Sequence, residues 1–329
     1  MADKAARLLT YEELGVRLFA TAPEGFDPTG ASPGELLLHG YPDRPDPQLH
    51  PNHYEHWKRI VSRSITRIEP QFRVMPIRPP IGPAAPPWAG PVVRPPIGPA
   101  EPPPVVHPTQ ATSQVWAGSV AYPRGVPLTT VSGRWTVPTV TDPGGGTGVP
   151  VCATWIGIDG WTEENRFATD ILQAGTTQLV DSCFAWWEWY PEGSAQIDNF
   201  DVSPGDVIYC RIHALSPTEA SFLLVNETTR VSVVFTRPAR EPTPLAGACA
   251  EWILELPQGT LNGQPFELGH FSPVTFDLCL AYGSNNQWVF PGTGELVSMV
   301  DVTNYPLADP SVLTDQSIRI LYAKGPHSF

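Results

Sequence analysis

The chain has 329 residues, 41% of them apolar and 10% aromatic, enough for the core of one large domain or of two smaller ones. Its formal charge of −13 is unevenly placed: residues 1–110 carry 11 basic and 11 acidic side chains, residues 111–329 carry 9 against 22. This excludes the basic stripe that a nucleic-acid surface needs, and no run of 18 apolar residues is present to cross a membrane.

The first twenty residues are broken by charge and show no signal-peptide pattern. Thr10 followed by Glu13 forms a capping-box start, and Leu14, Leu18 and Phe19 recur at helical spacing, so a helix is expected near 11–20. A second helix is expected from Asn52, with Glu55 three residues on and Trp57, Ile60 and Val61 on one side. Between them, YPDRPDPQLHP holds too much proline for a regular element. His53 and His56 stand at i, i+3, but no cysteine or acidic cluster of ligand type accompanies them, so surface histidines are expected. Residues 76–108 are proline-rich, and RPPIGPA occurs twice, at 78–84 and 94–100. Such a segment favours extended polyproline II and reads as a stiff spacer.

From residue 111 the pattern changes to short alternating runs such as TVSGRWTVP, VIYCRIHAL, ASFLLVNETT and RVSVVFTRP, with turn residues between them. Many short strands punctuated in this way predict an all-β sandwich. TDPGGGTG precedes a strand rather than a helix, so it is not a phosphate loop. NETT at 226–229 fits a glycosylation sequon. The five cysteines (Cys152, Cys183, Cys210, Cys249 and Cys279) lack metal spacing; they read as small buried hydrophobes, with one or two disulfides an option outside the cytosol.

Three strand-like pieces and one later piece carry polar groups on one face. In WIGIDG, Trp155, Gly157 and Asp159 share a face; in AWWEWYP, Trp186, Glu188 and Tyr190 do. ILQAG carries Gln173, and in AEWILE, Glu251, Ile253 and Glu255 oppose Trp252 and Leu254. A dry core rejects unpaired carboxylates, so a wet groove lined with Trp, Tyr and acids is expected.

WAGSV (116–120), WIGIDG, ILQAG, AWWEWYP and AEWILE, in that order, resemble the glutamic peptidases of the eqolisin family. The resemblance covers roughly residues 111–329. It implies an antiparallel two-sheet β-sandwich of the concanavalin A-like jelly-roll kind and an acid-active endopeptidase without metal or cofactor, with Gln173 and Glu251 as the catalytic pair. A carboxylate can take a proton from water and return it to the leaving amine, while a neutral amide positions the water and donates to the oxyanion. Trp116, Trp155, Asp159, Glu188 and Tyr190 are the expected substrate-binding residues, with Trp116 and Trp155 read equally as groove wall or core. The family often has acids where Thr177 and Phe184 stand, which bears on substrate preference. In the family a disulfide can join the loop after the IDG turn to the segment before AEW; Cys249 sits near the second place, but Trp161 to Glu164 occupy the first.

The chain divides into a helical segment at 1–70, a proline-rich segment at 71–110 and a peptidase domain at 111–329. The proline-rich segment, with the helices before it, has a second reading: a propeptide lying over the groove as an intramolecular inhibitor. The expected partners are polypeptide substrates, met by a monomer; the activity suits an acidic extracellular setting, without a visible export signal. Other nucleophile schemes lack GxSxG, HExxH and paired Asp-Thr/Ser-Gly turns. A carbohydrate-active sandwich is the alternative, though Gln173 would then have no role. A binding module with a proline-rich arm would leave the acidic face unexplained.

Overall fold

The computed structural model describes residues 7–62, 64–75, 110–144, 146–161, 170–191, 193–239, 245–285 and 287–323. The proline-rich repeats lie outside the described residues. The sandwich strands are β1 (Trp116–Ala121), β2 (Leu128–Thr136), β3 (Val149–Ile158), β4 (Ile171–Leu179), β5 (Cys183–Tyr190), β6 (Gly193–Ile197) and β7 (Val207–Ser216). They continue as β8 (Glu219–Asn226), β9 (Val231–Pro238), β10 (Ala250–Glu255), β11 (Val274–Gly283), β12 (Glu295–Val300), β13 (Pro306–Thr314) and β14 (Ser317–Tyr322).

The front sheet runs β12–β1–β10–β3–β4–β5–β6, every pair antiparallel. The back sheet runs β9–β8–β7–β2–β11–β14–β13, also antiparallel, and β13 joins β12, so the ladder rolls over into the second layer. Three short flanking segments pair parallel: Gln110–Ser113 on β12, Gln264–Leu268 on β3 and Thr66–Arg67 on β9. The alternation explains the layers. Trp252, Leu254, Ile156, Leu172 and Trp187 point inward from the front and meet Val131, Trp135, Ile212, Phe222 and Phe235 from the back in one core. Two buried indoles tie the layers: Trp252 donates to Ser132 O at 2.9 Å and Trp135 to Thr176 Oγ1 at 3.1 Å. Gly133 is needed beneath Trp252, since a Cβ there would stand 2.9 Å from its ring.

The N-terminal part is woven into this body. Helix α1 (Tyr11–Leu14) has the expected Thr10–Glu13 capping box but spans four residues, because Gly15 turns left-handed at φ 69° and stops it. Val16 then enters the core, and Arg17 bridges to Thr236 of β9. Helix α2 (Pro33–Leu38) carries a second capping box, Ser32 with Glu35, which the sequence reading passed over. Helix α3 (Pro51–Ile60) begins one residue before the expected Asn52, with Pro51 in its first turn. Leu36, Trp57, Ile60 and Val61 pack on Tyr209, Leu223, Val225 and Val234, the outer face of the back sheet. Helices α2 and α3 therefore lie on the face opposite the one that carries Glu251, not over it.

His53 and His56 are buried, which corrects the expectation of surface histidines. Helix α3 turns them into the back sheet, where His56 Nε2 meets Glu227 at 2.7 Å and His53 Nε2 meets Gln316 at 3.0 Å. No group of three potential metal ligands occurs among the described residues. The chain returns as Phe72–Arg73, which adds to β6 and pairs in turn with Leu8–Leu9. Phe72 is fully buried against Trp187 and Phe235, and Arg73 makes a forked ion pair with Asp198 at 2.6 and 2.9 Å. All five cysteines are free and four of them are buried, which agrees with their reading as small buried hydrophobes. Asn226 of the sequon is fully buried, its amide donating to Asp201 O and Asp206.

Candidate active site

The register of the front sheet lines up the polar residues of the motifs. Gly157 on β3 is the Cα partner of Glu251 on β10 and also of Gln173 on β4, and Gln173 is the partner of Glu188 on β5. A row Glu251–Gly157–Gln173–Glu188 thus crosses four adjacent strands on one face. With strands about 4.8 Å apart, Glu251 and Gln173 stand roughly 10 Å apart at Cα, with Glu251 Oε2 beside the glycine between them. A Cβ on Gly157 would come within 3.1 Å of Glu251 Oε2, so only glycine leaves that space open.

The hydrogen bonds leave two atoms uncommitted. Gln173 Nε2 donates to Glu188 Oε2 at 2.7 Å, while Gln173 Oε1 and Glu251 Oε2 are buried without a hydrogen-bond partner. Glu251 Oε1 lies 3.1 Å from Cys249 Sγ, which is itself 2.9 Å from Trp161 O. Burial raises Glu251 well above the usual carboxylate range, and the charges of Asp159 and Glu255 add to this; the Cys249 thiol and a backbone bond at Trp161 pull the other way.

Glu255, two positions beyond Ile253 on the same face, is held between two indoles. Trp116 Nε1 donates to it at 2.6 Å and Trp155 Nε1 at 2.8 Å. Burial pushes it up to about 8, against those two bonds. The sequence placed Glu255 on this face but gave it no role; the signal was the i, i+4 spacing from Glu251 together with two tryptophans in neighbouring motifs. Asp170, just before β4, is a second residue the reading missed: burial and the charge of Asp159 push it up to about 6, and its Oδ2 has no partner.

Asp159 does not line the row. It sits at φ 64°, and its carboxylate accepts from the backbone of Ala246, Gly247 and Ala248 at 2.8, 2.9 and 2.6 Å, bracing the loop that leads into β10. Trp116 and Trp155 meet edge to face at 5.1 Å, and with Trp161, Trp186 and the half-buried Tyr190 they form an aromatic cluster over this face. The expected wet groove is corrected here, since Gln173, Glu251, Trp116 and Trp155 are all at most 2% exposed. Leu256, Phe266 and Val115 pack into the cluster, and so does Met75, the last described residue before the proline-rich segment. A cavity of about 470 Å³ lies elsewhere, between the N-terminal part and the back sheet.

A model of the Peptidase A4 family matches residues 114–322, which span the whole of this row. The chain belongs to that family. Among Peptidase A4 relatives, it is 35% identical to aspergillopepsin-2 of Aspergillus niger over 167 residues, 44% of this chain and 56% of that protein. It is 32% identical to scytalidopepsin B of Scytalidium lignicola over 203 residues, 60% of this chain and 74% of that protein. The chain therefore spans little more than half the length of the first of these relatives. Two crystal structures share the fold over 64% of this chain and 100% of theirs. One is scytalido-glutamic peptidase with a transition-state analogue inhibitor, at 27% identity and TM-score 0.55; the other is SCP-B, an eqolisin, with the tripeptide Ala-Ile-His, at 26% and 0.52. The eqolisin resemblance read from five short motifs is borne out, and with it the β-sandwich.

Proposed function

We propose that this Peptidase A4 member is an acid-acting endopeptidase whose catalytic pair is Glu251 and Gln173, and that the chain as described is its latent form. The observation that carries the reading is the row itself: one carboxylate and one amide flank a glycine, each with an uncommitted oxygen. A water between them would hydrogen-bond through one O–H to Gln173 Oε1 and lose its other hydrogen as a proton to Glu251 Oε2 as its oxygen attacks the peptide carbonyl. The second N–H of Gln173 Nε2 then donates to the oxyanion, while Glu188 keeps the amide oriented. As the C–N bond breaks, Glu251 passes its proton to the leaving nitrogen, so the products are a free carboxylate and an amine. Trp116, Trp155 and Tyr190 supply apolar surface for a polypeptide substrate, which a monomer can serve alone.

Latency follows from the same burial. A carboxyl held well above its usual range is neutral and cannot act as a base. Opening the face to water would return it toward the ordinary carboxylate pKa, near 4.3, where it ionises under acid conditions. Met75 in the aromatic cluster supports the view that the N-terminal segment contributes to this cover. The test is digestion of an unfolded protein at about pH 4, close to the ordinary carboxylate pKa. Glu251→Ala and Gln173→Ala should each abolish cleavage with an unchanged melting curve, and N-terminal sequencing should find a self-cut between His107 and Trp116 in the parent chain alone. Near-normal cleavage by either variant would overturn the pair, and full activity of the uncut chain would overturn the latency.

A further inference from the structure

We infer that Cys249 is a positioning residue for Glu251: its thiol holds Oε1 so that Oε2 is the carboxylate oxygen left facing Gly157 and Gln173. The inference rests on the catalytic reading of Glu251 and adds to it a residue with no counterpart in the expected pair. Cys249 lies two residues before Glu251 and is fully buried. Its backbone is fixed twice over. Asp159 N donates to Cys249 O at 3.0 Å, and the Asp159 carboxylate gathers the three preceding N–H groups, those of Ala246, Gly247 and Ala248. The side chain is fixed by two contacts, 2.9 Å to Trp161 O and 3.1 Å to Glu251 Oε1.

A thiol has one hydrogen and can serve one of those oxygens at a time. When Glu251 is ionised, the thiol donates to Oε1. When Glu251 has taken a proton on Oε2, Oε1 is the carbonyl oxygen of the acid and still accepts from the thiol. Oε1 is therefore occupied through the cycle, and the proton traffic falls to Oε2, the oxygen that lacks a partner. The thiol is not a nucleophile. Burial, with the charges of Glu251 and Asp159, pushes it well above its ordinary pKa, so it stays protonated. It is not half of a disulfide either, since all five cysteines are free.

The test compares Cys249→Ala, which deletes the donor, with Cys249→Ser, which restores one. Two readouts are needed. The first is the infrared carboxyl band of protonated Glu251, assigned by its loss in Glu251→Gln; it should move to higher wavenumber in Cys249→Ala and return in Cys249→Ser. The second is the acid limb of the kcat/KM profile. Loss of a donor to the ionised base should move that limb up by about one pH unit in Cys249→Ala, with most of the shift reversed by Ser. If the alanine cavity unfolds the protein, Cys249→Val takes its place, with similar volume and no donor. An unmoved band and an unmoved limb in a folded donor-less variant overturn the positioning role. Wild-type activity in Glu251→Gln overturns the catalytic reading instead, and the infrared band still decides the contact.

Discussion

Gly157 and Glu251 are direct Cα partners on adjacent strands, and Gln173 is the partner of the same glycine on its other side. The missing side chain leaves open the space beside Glu251 Oε2 on the strand between the two residues. Gly157→Ala keeps an ordinary β backbone, since this glycine has no positive φ, but its Cβ would stand 3.1 Å from Glu251 Oε2 and 2.9 Å from the Trp155 ring. A misplacement of about 1 Å at a reacting group can cost about 100-fold in rate, and these contacts force a smaller shift at Glu251. Activity should fall by up to that factor while the melting temperature moves little, as steady-state kinetics and calorimetry would show.

Glu255 gives a stability prediction with a defined sign. Its pKa is raised by burial to about 8, so the folded state is favoured while Glu255 is protonated. That contribution is fully present below the unfolded pKa, about 4.3, and is lost as pH rises through 8, at about 1.4 kcal/mol per unit. Glu255→Gln, which keeps an acceptor for Trp116 and Trp155, should match the parent in urea unfolding near pH 4 and exceed it near pH 8. Equal gaps at both pH values would show that Glu255 is already solvated in the fold.

The site was legible in the sequence because strand alternation fixes faces. Glu251 with Glu255, and Glu188 with Trp186 and Tyr190, fall on one face from spacing alone, opposite Trp252 and Trp187. The register was not legible: nothing in the spacing of residues 157, 173 and 251 says that they share one row, because long-range pairing is settled by the whole sheet. Asp159 misled for a local reason, since its positive φ takes it off the alternation that placed it beside Trp155 and Gly157. His53 and His56 misled for a tertiary one. Their burial depends on Gln316 and Glu227, more than 150 residues away.

Residues 1–75 should behave as a structural element of the body, which stays in place when the chain is cut beyond them. Phe72 is fully buried against Trp187 and Phe235, and Leu8–Leu9, Phe72–Arg73 and Thr66–Arg67 all add to sheet edges. Phe72→Ala should cost about 3–5 kcal/mol in chemical denaturation. Deleting residues 1–75 should yield an aggregating product, because the outer face of β7–β9 and the end of the core would meet water. A soluble, cooperatively melting deletion variant would refute this.

The last prediction concerns what acid does to the two faces, and the signs differ. On the back face, burial lowers His53 and His213 to about 4, with the nearby His50 and His56 adding to the effect at His53 and Arg211 adding to it at His213, while Gln316 and Asp43 oppose. A histidine kept neutral stabilises docking above its unfolded pKa near 6.5, and the contribution is lost as pH falls toward 4. Glu227, the partner of His56, is lowered despite its burial, which raises it, so its share is also lost on acidification. On the front face, Asp170 at about 6 and Glu255 at about 8 are raised by burial, so their contribution grows as pH falls. Acid should therefore loosen helix α3 from the back sheet while the face that carries Glu251 stays closed. Hydrogen exchange between pH 7 and pH 4 reads both faces at once: α3 amides should lose protection relative to those of β3, β4 and β10. His53→Gln should flatten the change in α3. Loss of protection first in β10, with α3 unchanged, would mean that acid opens the face that carries Glu251 directly.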